Sequence, residues 1–310
     1  MRILVLGAGG TGGYFGARVA AAGGDVTFLV RPARAEQLAR SGLVVKSPLG
    51  NLSLPVRAIT TASEPFDLIL LACKAYDLDS AIDAIAPAVG PASFIVPLLN
   101  GVQHLDVLDR RFGAGRVLGG SCYIGVTMNA AGEIEHLNKL HKLTLGARSS
   151  EQAAGAQRAY EALLPGGFAL VLSELIEQEL WEKYVFLATY AALTCLMRAH
   201  IGAVARTPEG PAIARELLSE CVAIATAAGH RPRDFVIADT EKSVTDAAST
   251  GTASMLRDLQ QGRRTEHEHI LGDLWRRGRD ARVAAPILRL ALTQLQAYEN
   301  MRHEQSAART

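Results

Sequence analysis

Cysteine pairs are missing from this chain of 310 residues: Cys73, Cys122, Cys195 and Cys221 are far apart and form no C-x-x-C. That excludes a thiolate zinc site and a disulfide framework, and fits buried thiols in a reducing cytoplasm. The eight histidines bring no metal spacing either, because His267 and His269 stand two apart and a helix turns such a pair to different sides. No metal is therefore expected. An excess of one charge is also absent, with 32 basic against 31 acidic residues and aromatics at only 5%. Without a basic block interleaved with aromatics, nucleic acid is not an expected partner. Long hydrophobic runs are missing too. The longest, Tyr184 to Met197, falls short of a membrane span and reads as a buried core helix. Residues 1–6 read as a strand rather than a basic leader with an apolar core, so a cytoplasmic protein without a membrane partner is expected. What remains is 49% hydrophobic and 20% charged, enough chain for two cores.

The most informative segment lies at the start. Ile3 to Leu6 is a short apolar strand, Gly7, Gly9 and Gly12 fill the pattern G-x-G-x-x-G, and Tyr14, Phe15, Ala17, Val19 and Ala20 continue as an apolar helix. The first glycine permits a tight turn, the second lets backbone N–H groups approach a pyrophosphate, and the third lets helix and strand pack closely. The helix then offers unpaired N–H groups and the positive end of its dipole to phosphate. Gly7, Ala8, Gly9, Gly10, Thr11 and Gly12 are the candidate dinucleotide-binding residues. About 20 residues past such glycines an NAD site shows an acidic residue for the ribose 2′-hydroxyl. Arg31 stands there instead, with Arg34 behind it. A guanidinium suits a 2′-phosphate and has no acceptor to offer a hydroxyl, so NADPH is the expected cofactor.

Strands and helices alternate over residues 1–100, which predicts a parallel sheet with right-handed crossovers. The strands are Ile3–Leu6, Val26–Val30, Leu68–Ala72 and Phe94–Leu99, with helices to Ala22, over Ala33–Arg40 and from Leu78. Leu43–Val45 and Leu52–Val56 read as a hairpin inserted in that run. After Val117, the segments Gly120–Thr127, Glu133–His136 and Leu143–Leu145 read as short antiparallel strands added to one sheet edge. Ala153–Leu164 and Ala169–Leu172 complete an α/β domain over residues 1–173. From residue 174 to 310 helical spacing prevails, over Glu174–Arg198, Pro211–Ala228, Arg233–Ala247 and Arg264–Gln296. That predicts an all-α second domain, with 301–310 as a frayed polar tail.

Lys183 is the leading catalytic candidate. It enters a helix whose next residues, Tyr184 to Ala188, are nearly all apolar, so it either snorkels to solvent or is partly desolvated. Desolvation lowers a lysine's pKa and makes it a better proton donor to a developing alkoxide. Ser254 and Glu266 stand twelve apart, and either a site carboxylate near an ammonium or a solvated helix face accounts for them.

The glycine turn, Cys73-Lys74-Ala75, Leu99-Asn100-Gly101, Trp181-Glu182-Lys183 and Ser254-Met255-Leu256 with Glu266 follow in this order over nearly the whole chain. Together they resemble the ketopantoate reductase family (2-dehydropantoate 2-reductases). The resemblance implies a Rossmann-type first domain, a helical second one that also serves a homodimer, and hydride transfer from NADPH to the ketone of a 2-oxo acid. By position it implies that Lys74, Asn100 and Val126 line the cofactor site and that Lys183 gives the proton to the substrate carbonyl. Ser254 would then bind the substrate carboxylate, with Glu266 in the polar network around substrate and nicotinamide ribose. The chain also departs from the family. Asparagines expected four, eight and eighteen residues after the lysine are Leu187, Ala191 and Ile201, and the one expected three before the serine is Gly251. The intact spacing of Lys183, Gly202 and Ser254 argues against a local slip and for a paralogue with a more apolar substrate pocket around Leu187 and Ala191. A nucleotide-sensing protein that binds NADPH without turnover is the competing reading, and it leaves Lys183 and Glu266 without a purpose.

Overall fold

The structure is a computed structural model and describes residues 1–307. These form two compact units, Met1–Leu99 with His104–Glu177, and Asn100–Gln103 with the chain from Gln178 onward.

The first unit runs β1 (Arg2–Leu6), α1 (Gly10–Ala21), β2 (Asp25–Leu29), α2 (Pro32–Ser41), β3 (Leu43–Lys46), β4 (Leu52–Leu54), β5 (Arg57–Ile59), β6 (Phe66–Leu71), α3 (Leu78–Ile85) and β7 (Val89–Pro97). It continues through α4 (Gln103–Phe112), β8 (Gly119–Met128), β9 (Ile134–Gly146), α5 (Ala153–Leu163) and β10 (Ala169–Ser173). A five-stranded parallel sheet has the order β5-β2-β1-β6-β7. Its middle strands read as unbroken apolar runs because both faces are covered; Leu4, Val5, Leu68, Ile69, Leu70 and Leu71 are fully buried. The strand order reverses between β1 and β6. Such a switch point is where ligands settle, outside the carboxyl ends of the strands.

Three features differ from the sequence reading. The segments after Val117 are not an edge of the parallel sheet: β8 and β9 pair antiparallel in a second sheet, where β9 also takes β10 and β3 in parallel and the β3–β4 hairpin closes the far side. Glu133–His136 and Leu143–Leu145 belong to one strand, interrupted by a register shift opposite Ile124 and Val126. Residues 137–140 bulge out there with Leu137 and Leu140 exposed, and that polar-looking interruption is what split the strand in the sequence. Helix α4 and strand β5 carry too short a pattern to stand out from their loops.

The second unit is helical, with α6 (Ile176–Met197), α7 (Ile201–Ala205), α8 (Gly210–Ala227), α9 (Asp234–Val244), α10 (Ser254–Gln260), a π-helical turn at Glu268–Gly272, α11 (Asp273–Asp280) and α12 (Pro286–Ala307). The single helix expected over Arg264–Gln296 is therefore broken. Arg282 takes a left-handed φ of 60°, and Pro286, with no N–H to donate, starts the next helix. Residues 301–307 extend α12 instead of fraying; 308–310 lie outside the described residues. Among the described residues no helix is long and apolar enough to cross a membrane.

Candidate functional site

In the first unit the site is built at the carboxyl ends of the parallel strands. Gly7, directly after β1, has φ +90°, a conformation that side-chain-bearing residues rarely adopt. A Cβ on Gly12 would lie 2.6 Å from the Gly7 carbonyl oxygen and 3.0 Å from Ala72, so the third glycine is required for helix α1 to lie against the sheet. Gly9 differs, since a Cβ there would meet nothing within 4 Å. That open space lies at the N-terminus of a twelve-residue helix with no side-chain cap and no acidic residue in its first turn. A pyrophosphate fits this cradle by charge and by room. Val126 from β8 stands over it, its Cγ2 3.1 Å from the Cβ position of Gly10.

The two arginines after β2 separate in role. Arg34 is turned inward, donating to the carbonyls of Ala8 and Gly132 (both 2.8 Å) and to Gln37 Oε1 at 2.7 Å. It braces the glycine turn and has no free fork for a phosphate, so of the pair read from the sequence only Arg31 faces outward. Arg31 is 81% exposed along its side chain, with one partner, Asp77 Oδ2 at 3.2 Å. That contact ties the loop after β2 to the loop after β6, where Lys74 lies exposed.

In the second unit Lys183 lies well inside α6 rather than at its entrance, and it is only 6% exposed. Leu187 and Ala191, four and eight residues on, share its helix face, half-buried and buried respectively. The helix is held firmly. Glu182, itself buried, accepts from the Arg233 backbone N–H (3.0 Å), from Nε (2.7 Å) and Nη2 (2.6 Å) of the same residue, and from Gln178 at 3.0 Å. On the other side the Tyr184 hydroxyl, fully buried, donates to the Ile270 carbonyl at 2.8 Å and to Asp273 Oδ2 at 3.0 Å, joining α6 to the π-helical turn. Lys183 sits between these two anchors in sequence.

Glu266 precedes that turn and is half-buried. Its neighbour Thr265 is clamped by Glu299 of α12, whose Oε1 accepts from the Thr265 N–H (2.7 Å) and hydroxyl (3.0 Å), while Arg302 donates to Oε2 at 2.7 Å. Burial pushes the Glu299 carboxyl up, but the Thr265 amide and hydroxyl together with Arg302 outweigh it and hold it below the usual carboxylate range. A depressed native value means that the clamp contributes fully above the unfolded carboxylate's range and is lost as pH falls through the native value. Glu299→Gln keeps an acceptor for Thr265 but not the charge, so it should cost about 1–2 kcal/mol at pH 7, the difference between hydrogen bonds to charged and to neutral groups, and the deficit should shrink towards acid. Urea unfolding of both proteins at pH 7 and pH 4 reads this directly.

His269 carries no local signal in the sequence beyond a spacing unsuited to metal. It is buried, hydrogen-bonds the Asn100 backbone, and packs on Gly101, whose Cβ position is 3.2 Å from its Cδ2. Gly101 has φ +80° as well. Burial holds the imidazole below its ordinary pKa, so it is neutral at pH 7. Ser254 starts α10 with its side chain exposed, whereas Ile201 is fully buried at the start of α7. Among the described residues no group of His, Cys, Asp or Glu gathers as a metal site.

A parallel sheet in this order, a glycine turn shaped for pyrophosphate and a helical unit carrying a buried lysine define a dinucleotide-dependent oxidoreductase. Its family follows from comparison. The profile for ketopantoate reductase PanE/ApbA matches residues 3–150 and that for its C-terminal region matches residues 175–299. The chain belongs to the ketopantoate reductase family. It is 35% identical to the uncharacterized oxidoreductase YkpB of Bacillus subtilis, over 96% of this chain and 99% of that one. It is 29% identical to a 2-dehydropantoate 2-reductase of Mesorhizobium japonicum, over 90% and 92%. A PanE/ApbA family ketopantoate reductase from Ralstonia eutropha superposes with a TM-score of 0.88 at 25% identity, covering 98% of this chain and all of the other.

Proposed function

We propose that this protein reduces a 2-oxo acid to the 2-hydroxy acid with NADPH, and that the acid carries an apolar tail. The observation that carries the reading is Lys183, an ammonium 6% exposed on a helix face that it shares with Leu187, Tyr190 and Ala191. A lysine held in this way can meet the negative charge that grows on the oxygen of a carbonyl as it is reduced, a contact that strengthens towards the transition state.

NADPH, when bound, supplies the hydride to the carbonyl carbon. The first turn of α1 binds the pyrophosphate through its N–H groups, Arg31 takes the 2′-phosphate, and Lys74, Asn100 and Val126 complete the nucleotide site. Lys183 donates a hydrogen bond to the carbonyl oxygen and gives up its proton as that oxygen becomes a hydroxyl. Ser254 binds the carboxylate, and Glu266 belongs to the polar network that keeps the ammonium in place. Solvent returns the proton to Lys183.

Following the absorbance of reduced nicotinamide with a panel of 2-oxo acids tests the reading. Binding of NADPH without consumption on any acid would favour a nucleotide sensor. The cofactor preference has its own test, because Arg31→Asp removes a charge-assisted contact and adds repulsion to the 2′-phosphate. NADPH affinity should fall on the order of tenfold to a hundredfold, from about 1.5–3 kcal/mol for a contact between charged groups, while NADH affinity changes little. Fluorescence titration with both nucleotides measures it, and an unchanged NADPH affinity would make Arg31 a surface residue only.

A further inference from the structure

Tyr190 lies seven residues after Lys183, on the same face of α6 and about 10.5 Å further along the helix axis. Helical side chains lean back towards the N-terminus, so its ring covers the turn before it. It does so here, with its centroid 5.4 Å from that of Phe186. Its hydroxyl is hydrogen-bonded to Ser249 and lies 2.0 Å from where a Cβ on Gly251 would be. Any side chain at position 251 would collide with the phenol, so tyrosine at 190 in this position requires glycine at 251.

The segment that carries Gly251 cannot simply step aside. The Ile201 N–H donates to the Gly251 carbonyl (3.1 Å), the Gly202 N–H donates to the Ser249 carbonyl (2.9 Å), and the Gly251 N–H donates to Ser249 Oγ at 3.2 Å. A Cβ on Gly202 would lie 2.5 Å from the Ser249 carbonyl oxygen, so this junction is packed backbone on backbone. The Tyr190 ring is thus fixed at both ends, by Phe186 along its face and by the 249–251 segment at its hydroxyl. Only its remaining surface is available to a ligand.

We infer that Tyr190 closes the tail end of the substrate site, and that the Tyr190–Gly251 pair sets how long a tail the acid can carry. The inference rests on the functional reading above: with the carbonyl at Lys183, a tail running along the α6 face passes Leu187 and then meets the tyrosine ring. Its end wall is then aromatic and rigid. Tyrosine accordingly acts as a specificity residue, and Gly251 as the vacancy that admits it.

Steady-state kinetics with the straight-chain series 2-oxobutanoate, 2-oxopentanoate, 2-oxohexanoate and 2-oxooctanoate tests this, with thermal unfolding to confirm that each variant is folded. Tyr190→Ala should raise kcat/KM for 2-oxooctanoate relative to 2-oxobutanoate by about tenfold or more, the effect expected when room for additional methylenes opens. Tyr190→Phe should keep the wild-type ranking, because the ring remains. Gly251→Ala should reduce kcat/KM for every acid, and Tyr190→Ala in the same chain should restore it by removing the phenol. If the alanine variant does not fold, Tyr190→Leu reads the same shift with an apolar filler. Loss by one common factor for all four acids in Tyr190→Ala, or a Gly251→Ala defect that Tyr190→Ala does not relieve, would overturn the inference alone. A wild-type protein that reduces no 2-oxo acid would overturn the functional reading and this inference with it.

Discussion

Lys183→Ala is expected to lower kcat by about 10²–10⁴-fold, the usual contribution of a positioned general acid, while leaving the affinity for NADPH near wild type. The asymmetry follows from where the charge appears. In the ground state the carbonyl oxygen carries only a partial charge, and the ammonium gains little from it. As hydride arrives the oxygen becomes an alkoxide, and the contact with Lys183 strengthens when the barrier is crossed. A buried ammonium is worth more in this role than an exposed one because less water screens it. Lys183→Arg should recover little, since a guanidinium retains the charge but parts with its proton only at far higher pH. Stopped-flow turnover and nucleotide titration separate the two effects. Near-normal turnover in a folded alanine variant would remove Lys183 from the mechanism.

The burial of Lys183 depends on packing that no local pattern carries, whereas other parts of the fold do leave a local trace. The glycine turn was legible because each glycine answers a separate steric demand, and Gly7 and Gly12 meet theirs in the structure: a positive φ and a close helix–sheet approach. The parallel strands were legible because burial on both faces turns them into continuous apolar runs. The second sheet was not, because strand pairing between distant segments leaves no local trace. Only the bulge at residues 137–140 showed, and it suggested two strands in place of one. The same limit applied at the site. That Arg34 serves the backbone while Arg31 faces outward depends on carbonyls at Ala8 and Gly132, far away in the chain. Lys183 looked equally able to snorkel or to be desolvated, a choice made by tertiary packing. The Tyr190–Gly251 contact was invisible for the same reason: a missing asparagine at position 251 reads as a loss, and only the packing reveals what took its room.

Ketopantoate should be a poorer substrate than its analogue lacking the hydroxyl, by a factor of roughly 5 to 150 in kcat/KM. The family pattern would place amides four and eight residues after the lysine, and this chain has Leu187 and Ala191 on that face. A substrate hydroxyl buried against them without a partner costs about 1–3 kcal/mol, which sets the range. Nearby alternatives are few. The Thr194 hydroxyl is fully buried and donates to the Tyr190 carbonyl at 2.7 Å. Arg198 and Thr252 are two further groups to examine, and the Tyr190 phenol on the face of Lys183 is hydrogen-bonded to Ser249. Side-by-side kinetics on the two acids gives the ratio directly. A clear preference for ketopantoate would mean that a group other than the family's amides meets its hydroxyl, with the phenol first in line; Tyr190→Phe should then erase that preference while keeping the ranking by tail length. A preference that survives Tyr190→Phe would leave the apolar-tail reading without support.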